Sequence, residues 1–344
     1  MKAASKYLLN ALFKYWNHSQ AVLPYNLNWQ IKIGSREKRF LSQHPLVFCD
    51  VGARGSAPGE LAPFYAHMVY HAFDADKEEC NHLNRLSHPY RKFCVFPYYI
   101  GRDLQKTVFN IYKRPGESSS YTPGKRFKNV FRRDDFAVEK EIEVSSSSLN
   151  EVYLQEAIEL PDFLKLDTQG AELEILHGAE AIISNTCMIE VEVEFLEIYE
   201  GQPLFHDVLK FMTAKGFELL YLNRVFGQRR QIFEGESRGQ LIFGDALFGR
   251  REDRLSGFSK IRIVKYILLL INYGHIDFAC HLLRLHPDID GEFPMLNDMI
   301  SARNYGSKLG RMLFSQLDKL ILLLLHIRKY NQLSYDSDRS WPIR

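Results

Sequence analysis

The sequence predicts an α/β protein whose core is a doubly wound, mostly parallel sheet, with an N-terminal helix before it and a C-terminal helical extension after it. Three observations carry this. From Leu46 to about residue 250, apolar runs of strand length alternate with segments of helical periodicity, the order that builds a parallel sheet. The first run, Leu46-Val47-Phe48-Cys49-Asp50-Val51-Gly52-Ala53-Arg54-Gly55, breaks at an aspartate followed by two nearby glycines, as a ligand-facing strand end does. Two later runs, Phe163 to Asp167 and Met188 to Phe195, carry charges at strand spacing, although a central strand covered on both faces is expected to be apolar.

Composition narrows the function classes. A chain of 344 residues, 46% hydrophobic and 25% charged, has room for one large domain with appendages. Its 44 basic and 42 acidic side chains give a formal charge of +2, so no global field draws it to nucleic acid. The five cysteines, at positions 49, 80, 94, 187 and 280, are scattered and odd in number, which suits reduced thiols in a cytoplasm better than disulfides or a zinc site. His67 and His71 are four apart but enter a strand, where that spacing does not converge on a metal; no metal site is expected. No secretory signal is evident, and the greasiest pieces, Tyr266 to Ile271 and Leu320 to Leu325, fall far short of the ~20 residues a membrane span needs.

In chain order, residues 1–45 read as a helix from about Lys6 to Trp16, then an irregular piece with a short strand around Trp29 to Ile33. The run Leu46 to Val51 is the first sheet strand. Met68 to Phe73 is the second and ends in Asp74, roughly twenty residues past the glycine turn, the distance at which a carboxylate meets a ribose. Lys77 to Leu86 is a helix closed by Ser87, His88 and Pro89. Lys92 to Ile100 is a third strand with Gly101 after it, a position that either puts Ile100 and Gly101 near an adenine or is an ordinary strand-ending glycine.

Residues 104–145 break the alternation. They hold strands near Val108 to Tyr112 and Ile142 to Val144 and a basic stretch with Arg126, Lys128, Arg132 and Arg133, readable as a patch for an anionic substrate or as a solvated face. Next come the strand Phe163 to Asp167, a helix from about Ala171 to Ile183, and the strand Met188 to Phe195. Its Glu190, Glu192 and Glu194 share one face; Lys165 is expected to meet one of them across the sheet, the alternative being that they face solvent at a half-exposed edge. Leu204 to Lys215 is a helix and Phe217 to Arg224 a strand. Beyond Arg254 the chain turns helical, over Phe258 to Asn272, Ile276 to Leu285 and Lys308 to Tyr330, readable as a lid, a partner surface or a dimer element. The expected layout is residues 1–45, a catalytic domain over 46–250, and an extension over 255–335.

Two cofactors fit an acidic turn followed by a ribose carboxylate. A dinucleotide site spaces its glycines as G-x-G-x-x-G and rests a pyrophosphate on a helix N-terminus. Here Asp50 would oppose a phosphate and welcome an ammonium or a sulfonium, so charge favours S-adenosylmethionine over NAD. Asp50, Gly52, Ala53, Gly55, Asp74, Ala75 and Gly101 are the cofactor-contacting positions on this reading.

Phe48 to Gly55, Ala72-Phe73-Asp74 and above all Phe163-Leu164-Lys165-Leu166-Asp167-Thr168-Gln169-Gly170-Ala171-Glu172, with Leu176-His177-Gly178-Ala179 behind it, resemble the FkbM-type family of S-adenosylmethionine-dependent methyltransferases over about residues 45–248. The resemblance implies a Rossmann-like seven-stranded fold and methylation at a hydroxyl oxygen of a sugar, glycan or natural product. It puts Asp50, Gly52 and Gly55 at the methionine end, Asp74 at the ribose and Asp167 at the reaction mouth. Where the family has Asp-x-Glu-Gly this chain has Gln169, which puts a base or metal-ligand role there in doubt; Glu172 is retained. The hydroxyl's proton would go to Asp167 or Glu194, with His177 a third acceptor or a structural residue. The rival readings are an NAD-dependent sugar-modifying oxidoreductase and a non-catalytic interaction protein on the same fold. A homo-oligomer or a protein partner would use the C-terminal helices.

Overall fold

The protein's structure, a computed structural model, describes residues 31, 33–131, 136–227, 229, 239–301 and 335–337. The expected helix near Lys6 to Trp16, most of the strand at Trp29 to Ile33, Arg132 and Arg133, and the helix at Lys308 to Tyr330 lie outside the described residues.

Strands β1 (Leu46–Val51), β2 (Met68–Phe73), β3 (Lys92–Phe96), β4 (Tyr99–Gly101), β5 (Lys106–Tyr112), β6 (Val138–Ser148), β7 (Phe163–Leu166), β8 (Met188–Glu194), β9 (Phe217–Gly227), β10 (Gln240–Arg250) and β11 (Tyr335–Ser337) form two sheets. The large one runs β11-β9-β10-β8-β7-β1-β2-β3, and the small one β4-β6-β5. Pairing from β3 through to β8 is parallel, and β10 and β9 add antiparallel. The seven-stranded, mostly parallel sheet is therefore present, with the short β11 added antiparallel at the β9 edge.

The third strand stops early. Lys92 to Ile100 reads as one run, but Pro97 follows Phe96, and a residue without a backbone N–H cannot continue a ladder. The chain turns there, with the Tyr98 N–H donating to Phe96 O at 2.9 Å, and β4 crosses to pair with β6. Gly59–His67, between β1 and β2, forms a 3₁₀ helix around Pro63. The expected single helix from Ala171 is two, Glu172–Gly178 and Glu180–Asn185.

Each face of the large sheet carries its own core. On one, Cys49, Val51, Leu164, Leu166, Ile189 and Val191 pack with Val152, Ile175 and Met212 of the helices Leu149–Glu156, Glu172–Gly178 and Phe205–Ala214. On the other, Leu46, Phe48, Tyr70, Phe163 and Met188 pack against the helices Ser35–Gln43, Lys260–Asn272 and Ile276–Leu285. The helix Lys260–Asn272 is buried at every position from Ile263 to Asn272. The Ile263 to Asn272 stretch is thus a core layer rather than a lid or an external docking surface, as a helix apolar all round must be.

Burying a Leu or Ile contributes roughly 1.5–3 kcal/mol. Several of them in one helix outweigh the several kcal/mol spent on desolvating Lys265. That cost is itself offset at Asp162, whose Oδ2 accepts from Lys265 Nζ at 2.6 Å and from the Val47 N–H at 2.9 Å. Among the described residues no helix is long and apolar enough to cross a membrane.

Candidate functional site

A cavity of about 380 Å³ opens beyond the carboxyl ends of β1, β2 and β7. Its wall is the glycine turn after β1, its far side Asp74 and Ala75 after β2, and its floor the charged row of the central strands. In that row Asp50, Lys165 and Glu190 are direct register partners on β1, β7 and β8. Alternating sign across three strands is the stabilising order for neighbouring cross-strand charges. Lys165 does lie opposite a glutamate, as expected from the sequence, while its Nζ makes its 2.8 Å ion pair with Asp167 on its own strand end.

The turn's geometry follows from one close approach. Gly52 has φ +85°, and its N–H donates to Phe73 O at 2.9 Å, tying the turn to the end of β2. A Cβ at position 52 would sit 2.0 Å from the Asp167 carbonyl oxygen. The glycine is what lets the ends of β1 and β7 come together under the cavity.

Asp50 is 5% exposed; its Oδ2 accepts from Tyr70 Oη at 2.9 Å, and its Oδ1 is buried with no hydrogen-bond partner among the described residues. Burial raises its pKa, against the attraction of Lys165. Asp74 accepts from the Asp76 N–H at 2.7 Å and has Arg54 Nε at 3.7 Å from Oδ2. Burial pushes its carboxyl up to about 6, opposed by the Asp76 amide and Arg54. For Asp167 burial also acts upward, but Lys165 and the donors around it outweigh that and hold the carboxyl below the usual range.

Gln169 has φ +59° and a side chain in use on both sides. Its Nε2 donates to Asp167 Oδ1 at 3.1 Å and to Glu192 Oε2 at 2.6 Å, while Oε1 lies 2.9 Å from the Tyr199 hydroxyl. Flipping the amide would put an oxygen against two carboxylates, so the orientation is fixed by its neighbours. A glutamate here would bring three carboxylates together. The Gln169 carbonyl accepts from Ser119 Oγ at 2.6 Å, which joins this turn to the 115–121 loop over the cavity. Glu172, 3% exposed, accepts from the Thr168 and Gly170 N–H groups at 2.6 and 3.0 Å and so holds the turn together.

Of the sequence-derived positions, Asp50, Gly52, Asp74, Ala75 and Asp167 line the cavity. Ala53 is fully buried behind it, Gly55 lies off its lining, and Gly101 borders a separate cavity of about 250 Å³ with Tyr99 and Tyr121. Glu194 is also off the lining and 3% exposed. Burial and then the neighbouring carboxylates raise the pKa values of Glu192 and Glu194 well above the usual range. His177 is packed edge-on to Phe211, with ring centroids 4.7 Å apart, and is not on the lining. Arg126 and Lys128, on the helix Lys125–Phe131, do not reach the cavity either.

The site also contains residues that sequence reasoning passed over. Arg54 stood inside the quoted turn as its one basic residue. Tyr98 and Tyr99 follow Pro97, the overlooked break. Phe109, Pro115, Gly116 and Ser118 come from the 104–145 insertion, where the sequence offers a turn signal at Pro115-Gly116 and nothing to say where it folds back.

Residues 50–219 match the methyltransferase FkbM domain family. This segment is an FkbM methyltransferase domain. Among solved structures, the chain is similar to the methyltransferase FkbM from Methylobacillus flagellatus KT, at 12% identity and a TM-score of 0.33, over 58% of this chain and 43% of that one. It is also similar to the magnesium protoporphyrin IX methyltransferase from Synechocystis PCC 6803 with bound SAM, at 11% identity and a TM-score of 0.31, over 68% of this chain and 80% of that one. A third likeness is to a protein in the NADB-Rossmann superfamily from Streptococcus agalactiae, at 12% identity and a TM-score of 0.29, over 80% of this chain and 96% of that one. The chain thus spans less than half the length of the first of these. No curated protein matches it. The FkbM domain ends within β9, so β10 and the helix Lys260–Asn272, which complete the sheet and one of its cores, lie beyond the matched segment.

Proposed function

We propose that the FkbM domain transfers a methyl group from S-adenosylmethionine to a hydroxyl oxygen of a small-molecule, sugar or glycan acceptor. The observation that carries the cofactor is Asp50 Oδ1, a buried acceptor without a hydrogen-bond partner among the described residues, on a cavity whose other end holds Asp74. A buried carboxylate oxygen left without a donor fits a ligand ammonium, and a carboxylate one strand over fits the hydroxyls of a ribose. A pyrophosphate would meet Asp50 instead of a donor. Asp50, Gly52, Asp74 and Ala75 are the residues assigned to holding the cofactor, and Ile100 rather than Gly101 borders its cavity.

The cofactor, when bound, supplies a methyl already activated on a sulfonium. What the chain adds is alignment and exclusion of water, the main routes to acceleration for an in-line displacement. Asp167 is assigned to the acceptor: held ionised by Lys165 and Gln169, it takes the hydroxyl's hydrogen bond and orients the attacking oxygen. Its depressed pKa makes it a weak base, so its contribution sits at the low end of the ~10²–10⁴-fold of general base catalysis. Glu194, behind the cavity wall, is assigned to the carboxylate network around Gln169 rather than to proton transfer.

Calorimetric titration with S-adenosylhomocysteine tests the reading. Wild type should bind, and Asp50→Asn should weaken binding about tenfold or more, since a charged hydrogen bond contributes roughly 1.5–3 kcal/mol. Absence of binding at millimolar ligand would overturn it. The affinity should also depend on pH in one direction. Asp74 takes up a proton as pH falls through about 6 and then no longer accepts from both ribose hydroxyls, so binding should be level above neutrality and weaken in acid. Asp74→Asn should bind more weakly at neutral pH and lose less affinity on acidification. An equally steep acid loss in that variant would remove Asp74 from the ribose.

A further inference from the structure

Among the described residues, six carboxylates, those of Asp50, Glu60, Asp74, Asp167, Glu190 and Asp245, line the cavity, and the cations on its lining are Lys165 and Arg54. The two cations are differently committed. Lys165 is flanked in register by Asp50 and Glu190 and has its Nζ 2.8 Å from Asp167. Arg54 rises from the glycine turn between Gly52 and Gly55, is about one third exposed, and keeps its Nε 3.7 Å from Asp74 Oδ2, beyond hydrogen-bond distance. Its guanidinium is on the cavity lining, beside the carboxylate assigned to the ribose and on the same turn that bounds the Asp50 end.

That placement matters because the proposed cofactor is not purely cationic. Its amino-acid end bears a carboxylate as well as an ammonium. Against six acidic side chains that carboxylate is repelled unless a cation with donors to spare meets it. A guanidinium offers paired N–H groups that match a carboxylate's two oxygens, which an already engaged ammonium cannot.

We propose that Arg54 binds the α-carboxylate of the ligand's amino-acid portion and so selects, among adenosine thioethers, those that carry a free amino acid. The assignment rests on the methyltransferase reading. The competing role for Arg54 is to screen Asp74, in which case it acts on the adenosine end of every ligand alike.

Two ligands separate these roles. S-adenosylhomocysteine carries the amino acid; 5′-methylthioadenosine has the same adenosine and thioether without it. Both are titrated into wild type, Arg54→Met, Arg54→Gln and Arg54→Lys, with the melting temperature of each variant recorded. Arg54→Met and Arg54→Gln should bind S-adenosylhomocysteine about 10–100-fold more weakly, the worth of charged hydrogen bonds to one group. At about pH 8, where Asp74 stays ionised without Arg54, their affinity for 5′-methylthioadenosine should stay within about threefold, and Arg54→Lys should recover part of the loss, since it restores the charge without the fork. Parallel losses for both ligands, or no loss for S-adenosylhomocysteine, would overturn the assignment and leave the methyltransferase reading standing. Failure of wild type to bind either ligand would overturn that reading, and the assignment with it.

Discussion

Gly52→Ala is expected to abolish S-adenosylhomocysteine binding and to destabilise the fold. Two separate faults meet at this residue. A non-glycine side chain at φ +85° strains the backbone, which costs about 1–3 kcal/mol wherever it occurs. The added Cβ also falls 2.0 Å from the Asp167 carbonyl oxygen, so the ends of β1 and β7 must separate, and these ends form the floor beneath Asp50, Lys165 and Asp167. Gly55→Ala is the internal control. Gly55 has a similar φ of +84° but nothing within 4 Å of its Cβ position, so it should show the strain cost alone and keep its ligand. Chemical denaturation and calorimetry on the two variants separate backbone strain from close approach. Equal behaviour of the two would mean that the contact with Asp167 is not what shapes the site.

Asp162→Ala should lower unfolding stability by about 3–5 kcal/mol, the range found when one partner of a buried ion pair is removed. Asp162 is fully buried just before β7, and its loss strands the Lys265 ammonium in the core with Pro45 O at 3.2 Å as its remaining hydrogen-bond acceptor among the described residues. It also removes the acceptor of the Val47 N–H. Because Lys265 belongs to the buried helix Lys260–Asn272, the effect should appear as a lower denaturation midpoint for the whole domain. The double variant Asp162→Asn with Lys265→Met should recover most of the loss, since it removes the Asp162–Lys265 charges together and keeps an acceptor for Val47, while Arg262, 3.9 Å from Asp162 Oδ1, retains the Asn185 carbonyl. A single-variant cost under about 1 kcal/mol would show that the pair does not pin this helix.

Much of the site was legible because its chemistry is local. Asp50, Gly52, Asp74 and Asp167 lie at the ends of apolar runs, and a strand end followed by glycine or a carboxylate is visible within ten residues of sequence. The acidic pattern of β8 announced itself in the same way: charge at period two in an apolar strand has to be compensated somewhere. Which carboxylate then reaches the cavity was not local. Glu190 and Asp167 reach the cavity while Glu194 does not, a difference set by how β8 sits beside β7 and by Gln169, Gln202 and Tyr199 packing around the strand end. Gln169 is a departure from the family pattern in sequence and becomes intelligible as an amide donor only when Asp167 and Glu192 are seen on either side of it.

Local sequence was enough for strands β1, β2, β7, β8 and β9, the glycine turn and the two acidic strand ends, because periodicity and turn chemistry act over a few residues. Tertiary structure decided the rest: that Pro97 sends β4 into a second sheet, that Phe109 and residues 115–118 come to the cavity, and that the helix Lys260–Asn272 is an inner layer of the core. Each of these depends on which distant surfaces meet, and an apolar segment such as Lys260–Asn272 states that it must be buried without stating against what. The sheet face formed by Phe48, Tyr70 and Phe163 supplied the answer.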